Sequence, residues 1–291
     1  MQGVAVGIFV KHRRAKTEDK APARVFHRHV WGDREAKYDW LMQKDLIGKT
    51  VGWSELNPHS PFYLYTPQDE DLTNEFERGL HTTRLFPINV LGFQTHRDNV
   101  AIADDETTLK EQVQTYLTTA VNDSNWKRFA HPISFRPFDI RYGYLDRNVI
   151  DRPRPELLQH VVNRENITLL LIRQMQDNMP YTHVLVSKHA SIDRMFACSR
   201  GAATVFPLYL YPSADQLFNS NADWPRTNGR RPNLSKAFVA QMAGKLGLSF
   251  VSDGRGDLHH SFGPEDVFHY AYAIFLPQSH LSHALRRAAQ N

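Results

Sequence analysis

Three stretches of the 291-residue chain set arginines among aromatic or amide side chains. "THRDN" (95–99) carries Arg97 beside Asp98, "FRPFDIRYGYLD" (135–146) carries Arg136 and Arg141, and "IRQMQDN" (172–178) carries Arg173 and Gln174. A guanidinium can give two hydrogen bonds to guanine O6 and N7, and a glutamine amide can pair in the same way with adenine N6 and N7. Arginine and lysine also hold phosphates without reading sequence. In the stretch 224–236, Arg226, Arg230, Arg231 and Lys236 stand with no acidic residue among them. Arg230 and Arg231 are therefore candidates for clamping a phosphate backbone. Each of these arginines has a second reading, an ion pair with a nearby aspartate that ties two strands together.

Other chemistries lack their residues. The sequence has no GxxxxGK[ST] phosphate loop, no HExxH and no GxSxG. "DGRGD" (253–257) reads as a turn. "HRH" and "HH" lack further ligands at metal-binding spacing. "NPHSPF" is not a catalytic Asn-Pro-Pro-aromatic loop, because its second proline is not adjacent to the first.

The elements that must position the arginines follow from periodicity. "GVAVGIFV" (3–10) reads as a strand buried on both faces, and "RVFHRHVW" (24–31) as a strand with one wet face. Residues 33–46 predict a helix capped by Asp33, 69–80 an acidic helix, and 88–105 a strand, a turn and a strand. Residues 106–121 predict a helix with Leu109, Val113, Tyr116 and Leu117 on one buried face. Strands dominate from there on, in "ISFRPFDIRYGYLD", "ITLLLIRQM", "YTHVLVSKHA" and "TVFPLYLYP". Helices are expected after "RPRP", over "KAFVAQMAGKLGL" and over "PEDVFHYAYAIFL", with a polar loop at 213–235. Within "FRPFDIRYGYLD", Phe135, Phe138 and Tyr144 are expected to build the core face, with Asp139 holding one arginine and Tyr142 in the core.

A composition of 41% hydrophobic and 23% charged residues suits a packed core. The net charge of +4 is mildly basic. One cysteine, Cys198, excludes an internal disulfide and a multi-cysteine zinc site, and fits a cytoplasmic setting. No apolar run reaches the ~18 residues of a membrane span, so no membrane partner is expected.

In order along the chain, "QGVAVGIFVK", "VWGDREAKYDWL", "THRDN", "FRPFDIRYGYLD", "RPRPELLQH", "RQ" at 173–174, "FPLYLYP", "RRPNLS" and "PEDVFHYAYAI" resemble the C-terminal part of type ISP restriction-modification enzymes. Those single-chain proteins join a nuclease, a helicase motor, an adenine-N6 DNA methyltransferase and a target recognition domain. The resemblance implies an α+β fold: a mixed-sheet target recognition domain with flanking helices, preceded by a residual methyltransferase β-hairpin. It places the hairpin at residues 1–32 and the recognition domain at 33–291, with possible lobes 33–121 and 122–291 forming a cleft for DNA. It implies duplex DNA as partner, together with the methyltransferase and helicase/nuclease domains of the same enzyme, in cis or as a separate chain. Arg97, Arg136, Arg141, Arg173, Gln174, Arg230 and Arg231 become the candidate DNA contacts. S-adenosylmethionine, ATP and Mg would belong to upstream domains, and no cofactor is expected in this chain. The end "FLPQSHLSHALRRAAQN" departs from the family. With suitable codons, a one-base shift restores a Tyr-Arg-rich helix, so a frameshift near residues 275–280 and loss of the natural C-terminus are expected.

The expected function is sequence-specific duplex recognition that directs adenine-N6 methylation and cleavage carried out by the upstream domains, with no catalysis by this chain alone. Two alternatives stand beside it: a non-functional or protein-interacting fragment of a truncated gene, and an adenine-specific methyltransferase active only with a separate catalytic subunit.

Overall fold

The computed structural model describes residues 6–10, 23–43, 52–60, 63–173, 183–196, 201–212 and 227–275. The chain divides into two units, Met1–Gly79 and Leu80–Asn291.

In the first unit, β1 (Val25–His27) pairs antiparallel with β2 (Ser54–Leu56). Arg24 reinforces the pair, donating from Nε and Nη2 to the two carboxylate oxygens of Glu55, each at 2.7 Å. Helix α1 (Arg34–Gln43) starts where the sequence predicts, with Asp33 accepting the Ala36 N–H at 2.8 Å. Helix α2 (Glu70–Arg78) starts at Asp69, which accepts the Leu72 N–H at 3.0 Å. The strand expected over 3–10 is not seen where it is described. Residues 6–10 are irregular and exposed, and residues 1–5 lie outside the described residues. A strand apolar on both faces holds only between neighbouring strands and covering layers, and β1 pairs instead with β2.

The second unit contains α3 (Thr82–Leu85), β3 (Val90–Leu91), α4 (Asp98–Ala101), β4 (Ile102–Ala103), α5 (Glu106–Leu117) and α6 (Asp123–Phe129). It continues through β5 (Ala130–Arg136), β6 (Asp139–Tyr144), α7 (Pro155–Val161), β7 (Thr168–Ile172), β8 (Val184–Ser187), β9 (Ala190–Ser191) and β10 (Ala203–Pro207). The last elements are β11 (Tyr209–Leu210), β12 (Arg231–Pro232), α8 (Lys236–Leu246), β13 (Ser249–Phe250), β14 (Ser261–Phe262) and α9 (Pro264–Phe275).

Two four-stranded sheets organise this unit. One, in the order β3-β10-β7-β8, is antiparallel throughout. The other, in the order β4-β6-β5-β9, is mixed, because β9 runs parallel to β5. The chain alternates between them: β3 lies in the first, β4 to β6 in the second, β7 and β8 in the first, β9 in the second and β10 in the first. They are stitched by the bridge Phe93↔Ile192, next to which Gln94 bridges Arg152. Gly92 sits at this seam, where a methyl group would lie 2.6 Å from the backbone N of Asp193. Only glycine allows the strands to approach so closely.

Strand β7 reads TLLLI and is buried along its whole length. Its alternate side chains serve two cores, as the two-residue period of a strand requires. Leu170 joins a core with Phe93, Leu109, Val113, Trp126, Ile133 and Tyr144, which runs across residue 121. Leu169 and Leu171 join a second core with Phe86, Phe206, Leu234, Val239, Phe262 and Phe268. Helix α9 presents Val267, Phe268 and Ala271 to this second core. The mixed-sheet α+β architecture with flanking helices is the one expected from the sequence. Residues 276–291, where the frameshift was inferred, lie outside the described residues.

Candidate nucleic-acid interface

"FRPFDIRYGYLD" is a hairpin rather than one strand. Arg136 pairs with Asp139, which leaves Pro137 and Phe138 as a two-residue turn between β5 and β6. Proline presets the first turn position. Phe138 takes the second at φ 63°, a left-handed conformation that favours glycine or asparagine. Phe138 was expected in the core, but at the tip of the turn it has no layer to pack on, and it is 97% exposed. The hairpin also carries a register shift between Ser134 and Arg136. Phe135 is the extra residue of this bulge, a feature that re-aims side chains.

The bulge brings two arginines to one ring. The guanidinium of Arg136 lies 4.0 Å from the Phe135 centroid and that of Arg141 lies 4.4 Å from it. The two cations are otherwise unlike. Arg141 donates from Nε to both oxygens of Asp139, at 3.0 and 3.2 Å, and its Nη1 lies 3.3 Å from Asp104. The strand-tying reading therefore describes Arg141. Arg136 donates from Nη1 to its neighbour's carbonyl, Phe135 O, at 2.7 Å, and among the described residues it has no carboxylate partner. Close to it, Ser134 on β5 shares a 2.7 Å hydroxyl bond with Ser187, which tethers the β8–β9 turn bearing the exposed Lys188. Nothing in the local sequence signals Lys188 in this neighbourhood. The turn is not among the elements expected from the sequence either, although Pro137 is of a type that favours the first turn position.

Arg97 precedes α4 and is exposed. Its Nη1 donates to Val149 O at 3.3 Å, and its guanidinium lies 5.8 Å from the Tyr116 ring. Tyr116, expected on the buried face of α5, is 41% exposed; Leu109 and Val113 alone of the expected four are fully buried. β4, which follows α4, pairs with β6, so Arg97 and Arg141 are carried by one sheet. Arg173 follows β7 on the other sheet, exposed, beside Asn89, Leu91 and Gly201 in a shallow groove of about 340 Å³. Gln174 lies outside the described residues.

Arg230 does not match its expected role as a backbone clamp. It is 8% exposed, packs 3.8 Å over the Tyr209 ring, and donates from Nε to Asp253 Oδ1 at 2.7 Å and from Nη1 to Glu165 O at 2.9 Å. Burial opposes its charge, but the bonds to Asp253 and Tyr211 outweigh burial and move its pKa up. A guanidinium held on three sides inside the fold is a structural cation. Its partner Asp253 opens "DGRGD", which is a loop, as the sequence suggested. Arg231 is half-buried on β12, which pairs with β11. Nearby, His160 Nδ1 accepts the Tyr211 N–H at 3.1 Å, and burial, with Arg231 and Arg164 adding repulsion, pushes its pKa down to about 4.

Among the described residues no cluster of His, Cys, Asp and Glu has the arrangement of a metal site. No helix there is long and apolar enough to cross a membrane.

The family described as "Type ISP C-terminal specificity domain" matches residues 114–280, more than half of the chain. No curated protein matches. Among solved structures, one chain of a cryoEM DrdV–DNA complex aligns with a TM-score of 0.53 and 17% identity, covering 87% of this chain and 26% of that one. The ATP-dependent Type ISP restriction-modification enzyme LlaBIII bound to DNA gives 0.49 and 15% identity over 84% of this chain and 16% of that one. A nuclease-deletion mutant of the Type ISP enzyme LlaGI with a DNA substrate mimic gives 0.41 and 17% identity over 69% and 22%. The likeness to the DrdV chain is one of fold, and the present chain spans about a quarter of its length.

Proposed function

The chain belongs to the Type ISP C-terminal specificity domain family, and from that premise we propose that it recognises a specific duplex DNA sequence on behalf of a larger restriction-modification enzyme. The family match carries the reading, and it spans the hairpin where the arginines gather. The structure of similar fold, in a DrdV–DNA complex, suggests the same substrate.

In this reading Arg136 and Lys188 hold phosphates, because neither has a carboxylate partner among the described residues and both are accessible. Arg97 and Arg173 are further contacts, both exposed, one just before α4 and the other just after β7. Arg141 positions the hairpin through Asp139 and Asp104, and Arg231 and Gln174 remain candidates. Methyl transfer, ATP hydrolysis and strand cleavage are assigned to other parts of the enzyme. S-adenosylmethionine, ATP and Mg are assigned there too. Residues 33–291 are read as the recognition domain, residues 1–32 as the remainder of the preceding one, and the protein as cytoplasmic.

The test is selection from a duplex library with a randomised core, performed with the purified chain at two salt concentrations. One enriched asymmetric motif is expected, bound with an affinity that falls as salt rises. Sequence-blind binding that vanishes at the higher salt would instead support a fragment with a basic surface and no recognition function.

A further inference from the structure

Among the described residues Phe138 is the most exposed of the large apolar side chains, at 97%, and its backbone sits at φ 63°. Both features disfavour the free protein. An exposed ring gains nothing from burial, and a left-handed conformation strains any residue with a bulky side chain. Glycine or asparagine at this turn position would remove both costs.

The surroundings are built to hold the ring in place. Pro137 fixes the turn, the Arg136↔Asp139 pair closes it, and the bulged Phe135 anchors the hairpin beneath two guanidiniums. The protruding ring is flanked by Arg136, which has no carboxylate partner among the described residues, and by Ile140, which is 58% exposed. An apolar tip rimmed by an available cation suits a ligand with flat apolar faces framed by negative charge. Stacked base pairs between phosphates have that form. Apolar wedges of this kind unstack base steps and kink the duplex.

We propose that Phe138 is a wedge that inserts at a base step of duplex DNA, with Arg136 against the adjoining phosphate. This rests on the DNA-recognition reading above and extends it from base-edge contacts to deformation of the duplex.

The experiment uses the full chain and the duplex enriched from the randomised library, labelled at both ends for energy transfer. Wild type, Phe138→Ala and Phe138→Trp are compared for affinity and for end-to-end distance, after melting curves confirm that all three are folded. The wild type is expected to shorten the end-to-end distance, as a kink of roughly 20–90° would. Phe138→Ala is expected to bind about tenfold more weakly, within the range of a lost aromatic–base stack, and to leave the duplex straighter. Phe138→Trp is expected to restore the bend. A wild type that binds its motif without bending it, or a Phe138→Ala variant that binds and bends like wild type, would overturn the wedge alone. A wild type that enriches no motif would overturn the wedge and the recognition reading together.

Discussion

Arg230 Nε donates to Asp253 Oδ1 across 2.7 Å, between side chains that are only 10% and 13% exposed. The pair joins the turn before β12 to the loop between β13 and β14, and Tyr209, beneath the guanidinium, accepts the Gly254 N–H through its hydroxyl oxygen at 2.9 Å. The sequence suggested a DNA-facing cation at this position. Placed here, it is a structural link within the second unit.

Breaking that pair from either side leaves a charge in a site with little water. Arg230→Ala or Asp253→Ala is expected to lower unfolding free energy by about 3 kcal/mol. Urea denaturation measures it. For Arg230→Ala, DNA affinity at temperatures where the variant is folded is expected to match wild type, as a phosphate contact at Arg230 would not allow.

The two arginines over Phe135 are expected to separate by readout. Arg136→Ala should weaken binding about equally for all duplex sequences and reduce the slope of log affinity against log salt by about 1, the signature of a phosphate contact. Its melting temperature should stay near wild type. Arg141→Ala removes the contacts to Asp139 and Asp104, so it should lower the melting temperature. Salt-titrated binding isotherms beside melting curves distinguish the two, and the reverse pattern would exchange their roles.

Stability should depend on pH through His160. Burial, then Arg231 and Arg164, lowers its folded pKa to about 4 from an ordinary 6.5. The folded state therefore binds fewer protons than the unfolded state between those values, and stability rises with pH across that window. It should be fully present above about pH 6.5 and lost progressively as pH falls towards about 4, by roughly 3 kcal/mol in all. His160→Gln should flatten that part of the curve in urea denaturation repeated from pH 4 to 8.

Phe138→Gly should stabilise the chain while weakening DNA binding. Relief of the left-handed strain is worth about 1 kcal/mol, and no packing is lost from a ring that is 97% exposed. A raised melting temperature with a lowered affinity is the expected pair of results. A lowered melting temperature would show that the ring supports the hairpin.

Much of the second unit was legible from residue types, because its signals are local. Asp105 and Ser235 cap α5 and α8, accepting the N–H groups of Thr108 and Phe238. Gly247 ends α8 in the left-handed conformation that glycine favours. Pro155 opens α7, and the TLLLI run of β7 is buried throughout. The ordered motifs also pointed to the family, since they concern kinds of residue and their sequence.

What tertiary structure alone decided is which charges are used up inside the fold and which are left at its surface. Arg230 and Arg136 look alike as letters, each a basic residue with no acidic residue directly beside it. Only folding brings Asp253, 23 positions away, to Arg230, and gives Arg136 no such partner among the described residues. Phe138 reads as one more apolar residue in an alternating strand. A two-residue turn moves it from the core face to the tip, because reversing a hairpin removes the layer above it. Contacts between distant residues depend on how sheets pair and cross, and no local spacing in the sequence encodes that.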